Sequence, residues 1–188
     1  MKSMRNTLMT ACSLTIGMMA TGFVTVAKAD DAAVKKAITA QYAKITQGYK
    51  TKTLKSILDV TTSDFTLKTQ TGQIVTRQQL EDLFSQLTSF FQKVSEYSFK
   101  LNKLTVKGSE ATVEVKSTLS GVVVDMQQKG KTHTLDSITD YRDLWVSAGG
   151  VWKRKRSEIV KTTTKIDGKD VVAPAPPPVK KAGDKPAK

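Results

Sequence analysis

Residues 64–94, DFTLKTQTGQIVTRQQLEDLFSQLTSFFQKV, decide how this chain is read. Phe65, Leu67 and Thr69 alternate with Thr66, Lys68 and Gln70, the period of two that a half-buried strand requires. Thr71-Gly72 supplies a turn, and Ile74-Val75 resumes extended chain. Thr76, followed three residues on by Gln79, has the form of a capping box and predicts a helix start. From there Leu80, Leu83, Phe84, Leu87, Phe90, Phe91 and Val94 recur at threes and fours, predicting one helix whose apolar stripe runs to Val94. A strand, a turn and a capped helix in this order constrain the fold but name no chemistry.

Upstream, Asp30-Asp31 suits a helix N-terminus. Val34, Ile38, Tyr42 and Ile45, with Ala37 beside them, form its buried stripe, and Gly48 is the expected C-cap. A shorter helix fits Thr53 to Asp59, with Thr53 as cap and Leu54, Ile57 and Leu58 inward. Downstream, Tyr97 to Lys165 reads as strand. Phe99 and Leu101, then Leu104 and Val106, keep a period of two, with a slip near Asn102-Lys103 that predicts a bulge. Gly108-Ser109 makes a turn, after which Ala111, Val113, Val115, Ser117 and Leu119 alternate with polar residues. Gly121 breaks the phase and lets a long strand bend. Lys129-Gly130 and Ala148-Gly149-Gly150 are turns that divide off His133–Val146 and Val151–Thr164. The expectation is an α+β fold in which a curved antiparallel sheet closes over three helices.

The chain has 188 residues and a formal net charge of +13. Lys2 and Arg5, an apolar run from Thr7 to Val26, and Ala27-Lys28-Ala29 together predict a secretory signal, residues 1–29, cleaved between Ala29 and Asp30. Cys12 stands too early in the apolar run to serve as a lipoprotein acceptor. Gly17, Gly22 and several threonines weaken an uncleaved anchor. Cleavage removes three cations and no acid, leaving +10 and no cysteine, hence neither disulfide nor thiol chemistry. The expected address is periplasmic or secreted, without a transmembrane span after cleavage. Residues 30–168 form the expected domain. Residues 169–188 hold all five prolines among Ala and Lys and read as an extended tail.

The sequence lacks the phosphate-binding G-x-x-x-x-G-K-[ST], the dinucleotide-binding G-x-G-x-x-G and the hydrolase G-x-S-x-G patterns. Its single histidine, His133, stands near a hairpin turn and reads as an exposed loop residue. No metal site and no cofactor are expected. Lys153, Arg154, Lys155 and Arg156 form a basic run. On a regular strand the two lysines face one way and the two arginines the other. The run suits a charged, aggregation-resistant edge strand or attraction to an anionic surface. Export argues against sequence-specific nucleic-acid binding.

Taken together, the two opening helices, DFTLKTQTG, T-R-x-x-L on a helix and TDYRDLWVSAGGVWKRKRSE resemble the nuclear transport factor 2-like superfamily. The resemblance spans Ala33 to Ile166 and is nearest to the small bacterial domains grouped with polyketide cyclases and ketosteroid isomerase. It implies a cone, a bent sheet wrapped on three helices, with a pocket inside. Isomerase-like members carry a general-base Asp on the first strand, and the resemblance puts Thr69 there. A threonine without a neighbouring base cannot take a proton from carbon at neutral pH. The second acid of such sites, a hydrogen-bond donor when held neutral, falls on Asp140 or Tyr141, and the donor tyrosine on Tyr42. Tyr42 also fits a plain core role, and Asp140, Arg142 and Asp143 fit cross-strand or solvated charge pairs.

The resemblance thus implies a domain that binds rather than transforms, for a small apolar ligand or a protein partner. The alternatives are an isomerase- or cyclase-like enzyme of the same fold and a basic, surface-adhering polyanion binder. The candidate pocket comprises Tyr42, Phe65, Leu67, Thr69, Phe84, Asp140, Tyr141 and Trp145. Members often pair through the outer sheet face, and the Val and Thr residues between Ala111 and Met126 predict a homodimer of that kind.

Overall fold

The computed structural model describes residues 30–171, so the predicted signal and residues 172–188 of the predicted tail lie outside the described residues. Helix α1 (Asp31–Lys50) and the short α2 (Leu54–Leu58) precede strands β1 (Thr61–Lys68) and β2 (Ile74–Thr76). Helix α3 (Arg77–Phe90) follows, and then β3 (Phe91–Lys107), β4 (Glu110–Val124), β5 (Thr132–Ala148), β6 (Val151–Ile166) and β7 (Lys169–Val171). The seven-stranded sheet runs β2-β1-β6-β5-β4-β3, with β7 pairing β6 beyond the end of β1. Because β1 lies parallel to β6, the sheet is mixed, where the sequence predicted antiparallel pairing throughout. The architecture is otherwise the expected α+β one. No described helix is long and apolar enough to cross a membrane.

The starts of α1 and α3 follow their sequence signals, whereas Thr53 stands at the N-cap position of α2 but makes no side-chain capping bond. Asp30 caps α1 by accepting from the Ala32 backbone N–H, and Thr76 and Gln79 form the reciprocal capping box of α3. Two boundaries differ. Gly48 is not a C-cap: α1 runs on to Lys50, and Gly48 lies where α2 crosses, so that a Cβ there would stand 2.8 Å from the Ile57 side chain. Helix α3 stops at Phe90, and Phe91 enters β3 directly, opposite Val123. Phe91 and Val94 are therefore strand residues. A threes-and-fours pattern crossing into a bulged strand looks unbroken in one dimension, because each bulge shifts the period of two.

Three irregularities shape β3, one of them at Asn102, where the sequence slips phase. Gly121 sits opposite Val94 between two of them, and a Cβ there would collide with the Lys93 carbonyl oxygen. The bend needs glycine for close backbone approach, not for a left-handed conformation.

The inner sheet face carries Ala111, Val113 and Val115 of β4, which pack with Val34, Ile38 and Ile45 of α1 in one core. The outer face of β4 presents Thr112, Glu114, Lys116 and Thr118. Val113 and Val115, counted toward a dimer surface by sequence, thus point into the core, because alternation assigns them to the helix-covered side.

At the far end of the sheet His133 is half-buried, not an exposed loop residue. Its Nδ1 lies 2.6 Å from Asp167 Oδ2 and its Nε2 3.1 Å from Asp125 Oδ2. The hydrogen bonds to Asp167 and then Asp125 raise the His133 pKa; the histidine contact is also the main cause that lowers Asp167, while Asp125 is lowered first by the Gln127 backbone N–H and then by His133. The sign follows from linkage. Stabilisation from the histidine is complete below its unfolded value of about 6.5 and is lost as pH rises through the higher folded value. Stabilisation from the carboxylates is complete above about 3.9 and is lost as pH falls through their lowered values. Thermal unfolding of the wild type and His133→Gln across pH should therefore differ most between about pH 4 and 6.5. A gap independent of pH would show that the ring acts only by packing.

Candidate functional site

Alternation along β5 sends Thr139, Tyr141, Asp143 and Trp145 to the inner face. The regular repeat of α1 places Tyr42 one turn beyond Ile38, above that row. On β6 the register steps from Leu144 opposite Arg156 to Trp145 opposite Arg154, leaving Lys155 unpaired in a bulge. The bulge is what lets Arg154 and Ser157, three residues apart, both face inward.

These elements meet at Asp143, which is fully buried. The Tyr42 hydroxyl donates to Asp143 Oδ2 at 2.6 Å, and Ser157 Oγ donates to Oδ1 at 2.5 Å. Arg154 Nη1 lies 3.5 Å from Oδ2. Trp145 Nε1 donates to the Tyr42 oxygen at 3.3 Å, and the two rings meet edge to face at 5.1 Å. Burial, reinforced by the Asp143 charge, pushes the Tyr42 phenol well above its ordinary value, so it stays a donor. Burial works against the Arg154 charge, but Asp143 and the surrounding phenols outweigh it and raise its pKa. Both oxygens of Asp143 are thus engaged by three side-chain donors, which ties the carboxyl group into the interior network.

Beyond this cluster lies a gap of about 40 Å³, lined by residues that include Tyr49, Tyr97, Tyr141, Arg154, Ser157 and Phe65. Small-molecule sites usually enclose roughly 300–1,000 Å³, so the cone is nearly filled. Aromatic packing fills it: Tyr49 and Tyr97 pack with tilted rings at 4.3 Å, Tyr97 and Phe99 edge to face at 5.0 Å, and Tyr42 and Phe99 tilted at 4.7 Å.

The sequence candidates separate into four groups. Phe65, Leu67 and Tyr141 line the gap. Tyr42 and Trp145 pack solidly behind it and leave no cleft between them, contrary to the expected apolar pocket. Phe84 is buried against Tyr49 at 5.3 Å and does not line the gap. Thr69 and Asp140 are outside it. Thr69 follows the last residue of β1 and closes the turn, its hydroxyl 2.9 Å from that of Thr71. Asp140 points to the outer face, 3.7 Å from Lys116. Of the two positions the resemblance left open, Tyr141 is the inward one.

Asp143, read from sequence as part of a cross-strand or solvated charge pair, is the one fully buried carboxylate among the described residues, and its pair is the cross-strand one to Arg154. Its signal was parity: it shares the even spacing of Tyr141 and Trp145. Arg154 leaves the predicted basic surface for the interior, while Lys155 stands 3.8 Å from Asp64 and Arg156 is exposed. Strand β6 lies between β1 and β5 over this run, so the edge-strand reading does not hold.

No protein-family model matches the chain, and no curated protein matches it. Among solved structures, a type 2 hexachlorocyclohexane dehydrochlorinase, LinA, superposes with a TM-score of 0.58 at 15% identity, over 79% of this chain and 97% of that one. A nuclear transport factor 2-like protein from Cytophaga hutchinsonii gives 0.54 at 16% identity, over 66% and 95%. A Nostoc punctiforme protein of cystatin-like fold and unknown function gives 0.53 at 18% identity, over 68% and 90%. The fold is that of the nuclear transport factor 2-like proteins. At these identities the likeness speaks for the fold alone.

Proposed function

We propose that the chain is an exported, non-catalytic binding domain that uses the cone interior as its ligand site. The observation that carries this reading is the engagement of Asp143. A general base must reach the proton it removes, and here the fully buried carboxylate is held by Tyr42, Ser157 and Arg154, with Arg154 and Ser157 lining the gap in front of it. Thr69, where the isomerase-like pattern needs an acid, is in a turn. Enzymes of this fold exist, the dehydrochlorinase among them. An isomerase- or cyclase-like activity is therefore the second reading, favoured by the short Tyr42–Asp143 contact. It would require Asp143 to give up a donor during turnover.

The test is turnover by the chain purified from its own host. Isomerisation of 3-keto steroids, whose bulk far exceeds the gap, should stay at background. Intact mass should place the N-terminus at Asp30, and native mass spectrometry should find a small retained ligand. Turnover that disappears in a folded Asp143→Asn variant would establish the enzyme reading instead.

A further inference from the structure

We propose that the gap beside Arg154 is a carboxylate-binding site, sized for one small monoanion and built from the guanidinium and the tyrosine phenols around it. This rests on the binding reading and gives it a ligand class. Arg154 is only 8% exposed, and its Nε is buried without a hydrogen-bond partner among the described residues. An unpartnered donor on a buried charged group is costly and calls for an explanation. Its one ionic contact among the described residues, to Asp143, is long at 3.5 Å, while Tyr42 and Ser157 supply that carboxylate with shorter bonds. The guanidinium carbon lies 5.1 Å from the centroid of the Phe65 ring, and Arg154 lines the gap with it.

Tyr49, Tyr97 and Tyr141 line the same gap, and burial raises all three phenols, so they stay protonated; the Tyr97 hydroxyl is turned to Tyr49, which leaves Tyr49 and Tyr141 as the donors for a ligand. A guanidinium and phenolic O–H groups converging on one space are complementary to a planar, two-oxygen anion. Size narrows the choice. About 40 Å³ of room, against roughly 10–15 Å³ for one water, holds about three or four heavy atoms, the size of a carboxylate with one carbon attached. Leu67 and Leu80 line the gap and keep partial exposure, so solvent can reach it. A longer acid could leave its tail there.

Sodium acetate titrated into the full chain at fixed ionic strength should raise the unfolding temperature along a saturating curve, and acetamide, its neutral analogue, should not. Hexanoate binding at least tenfold tighter than acetate would identify the carboxylate end of a longer ligand. Acetate binding as tightly or tighter would identify the free anion. Tyr141→Phe, which keeps the ring, should weaken acetate about five- to tenfold. Arg154→Gln combined with Asp143→Asn removes both interior charges together, avoiding an orphaned one, and should abolish saturation. Acetamide matching acetate, or saturation surviving in the double variant, would overturn the anion site. Hexanol binding without any anion preference would overturn it while leaving the binding reading intact. If neither acids nor hexanol bind, both readings fall.

Discussion

Asp143→Asn should destabilise the domain by about 3–5 kcal/mol, the usual cost of breaking a buried ion pair from one side. The substitution keeps volume and one acceptor but leaves the Arg154 guanidinium charged in the interior, where Asp143 is its ionic partner. Tyr42 and Ser157 must then share a neutral amide in place of a carboxylate. In a domain of this size the loss corresponds to roughly 6–20 °C in unfolding temperature. Pairing Asp143→Asn with Arg154→Met should recover much of the loss, since replacing both members of a buried pair is far milder than orphaning one. Urea unfolding of the four proteins gives the coupling. A loss below about 1 kcal/mol in the single variant would mean that Asp143 is not the counter-ion described here.

Trp145→Ala should cost a comparable 3–5 kcal/mol, by a different route. Trp145 is wholly buried among β4, β5 and α1, with Ala111 opposite it on β4 and the Tyr42 ring against it. Truncation leaves a cavity that sheet and helix cannot close, because both flanking strands are fixed by pairing over their whole length. Trp145→Phe separates packing from hydrogen bonding. It keeps most of the aromatic contact but loses the Nε1 donor to Tyr42, and should cost about 1–2 kcal/mol by comparison with a single buried hydrogen bond and modest volume loss. The midpoint should fall with the urea slope unchanged. Equal losses for both variants would assign the stabilisation to the indole hydrogen bond rather than to volume.

Much of the fold was legible because it rests on local signals. The Thr76–Gln79 capping box starts α3 in the structure as in the sequence. The alternation from Ala111 to Leu119 is β4, and the slip at Asn102 is a bulge. Where the reading failed, the deciding contact was remote in sequence. Gly48 looks like a helix stop until Ile57 is seen beside it. Phe91 looks helical until it pairs with Val123.

The candidate site divides in the same way. Parity along β5 was available to sequence and already placed Asp143 in the row of Tyr141 and Trp145. What sequence could not show was a partner for it, since Tyr42 is 101 residues away and reaches it only because α1 lies across the sheet. Nor could it show the bulge at Lys155, which reverses the facing of the residues after it, so that, with Arg154 interior, Arg156 is exposed and Ser157 joins Arg154 on the inner face. By itself the sequence determined the element types, the N-caps of α1 and α3, the turns and most inward-facing positions, all set by interactions within a few residues. Only the tertiary structure decided which inward residues meet and how much room they leave. Those depend on strand register, where a one-residue bulge changes which side chains share a face.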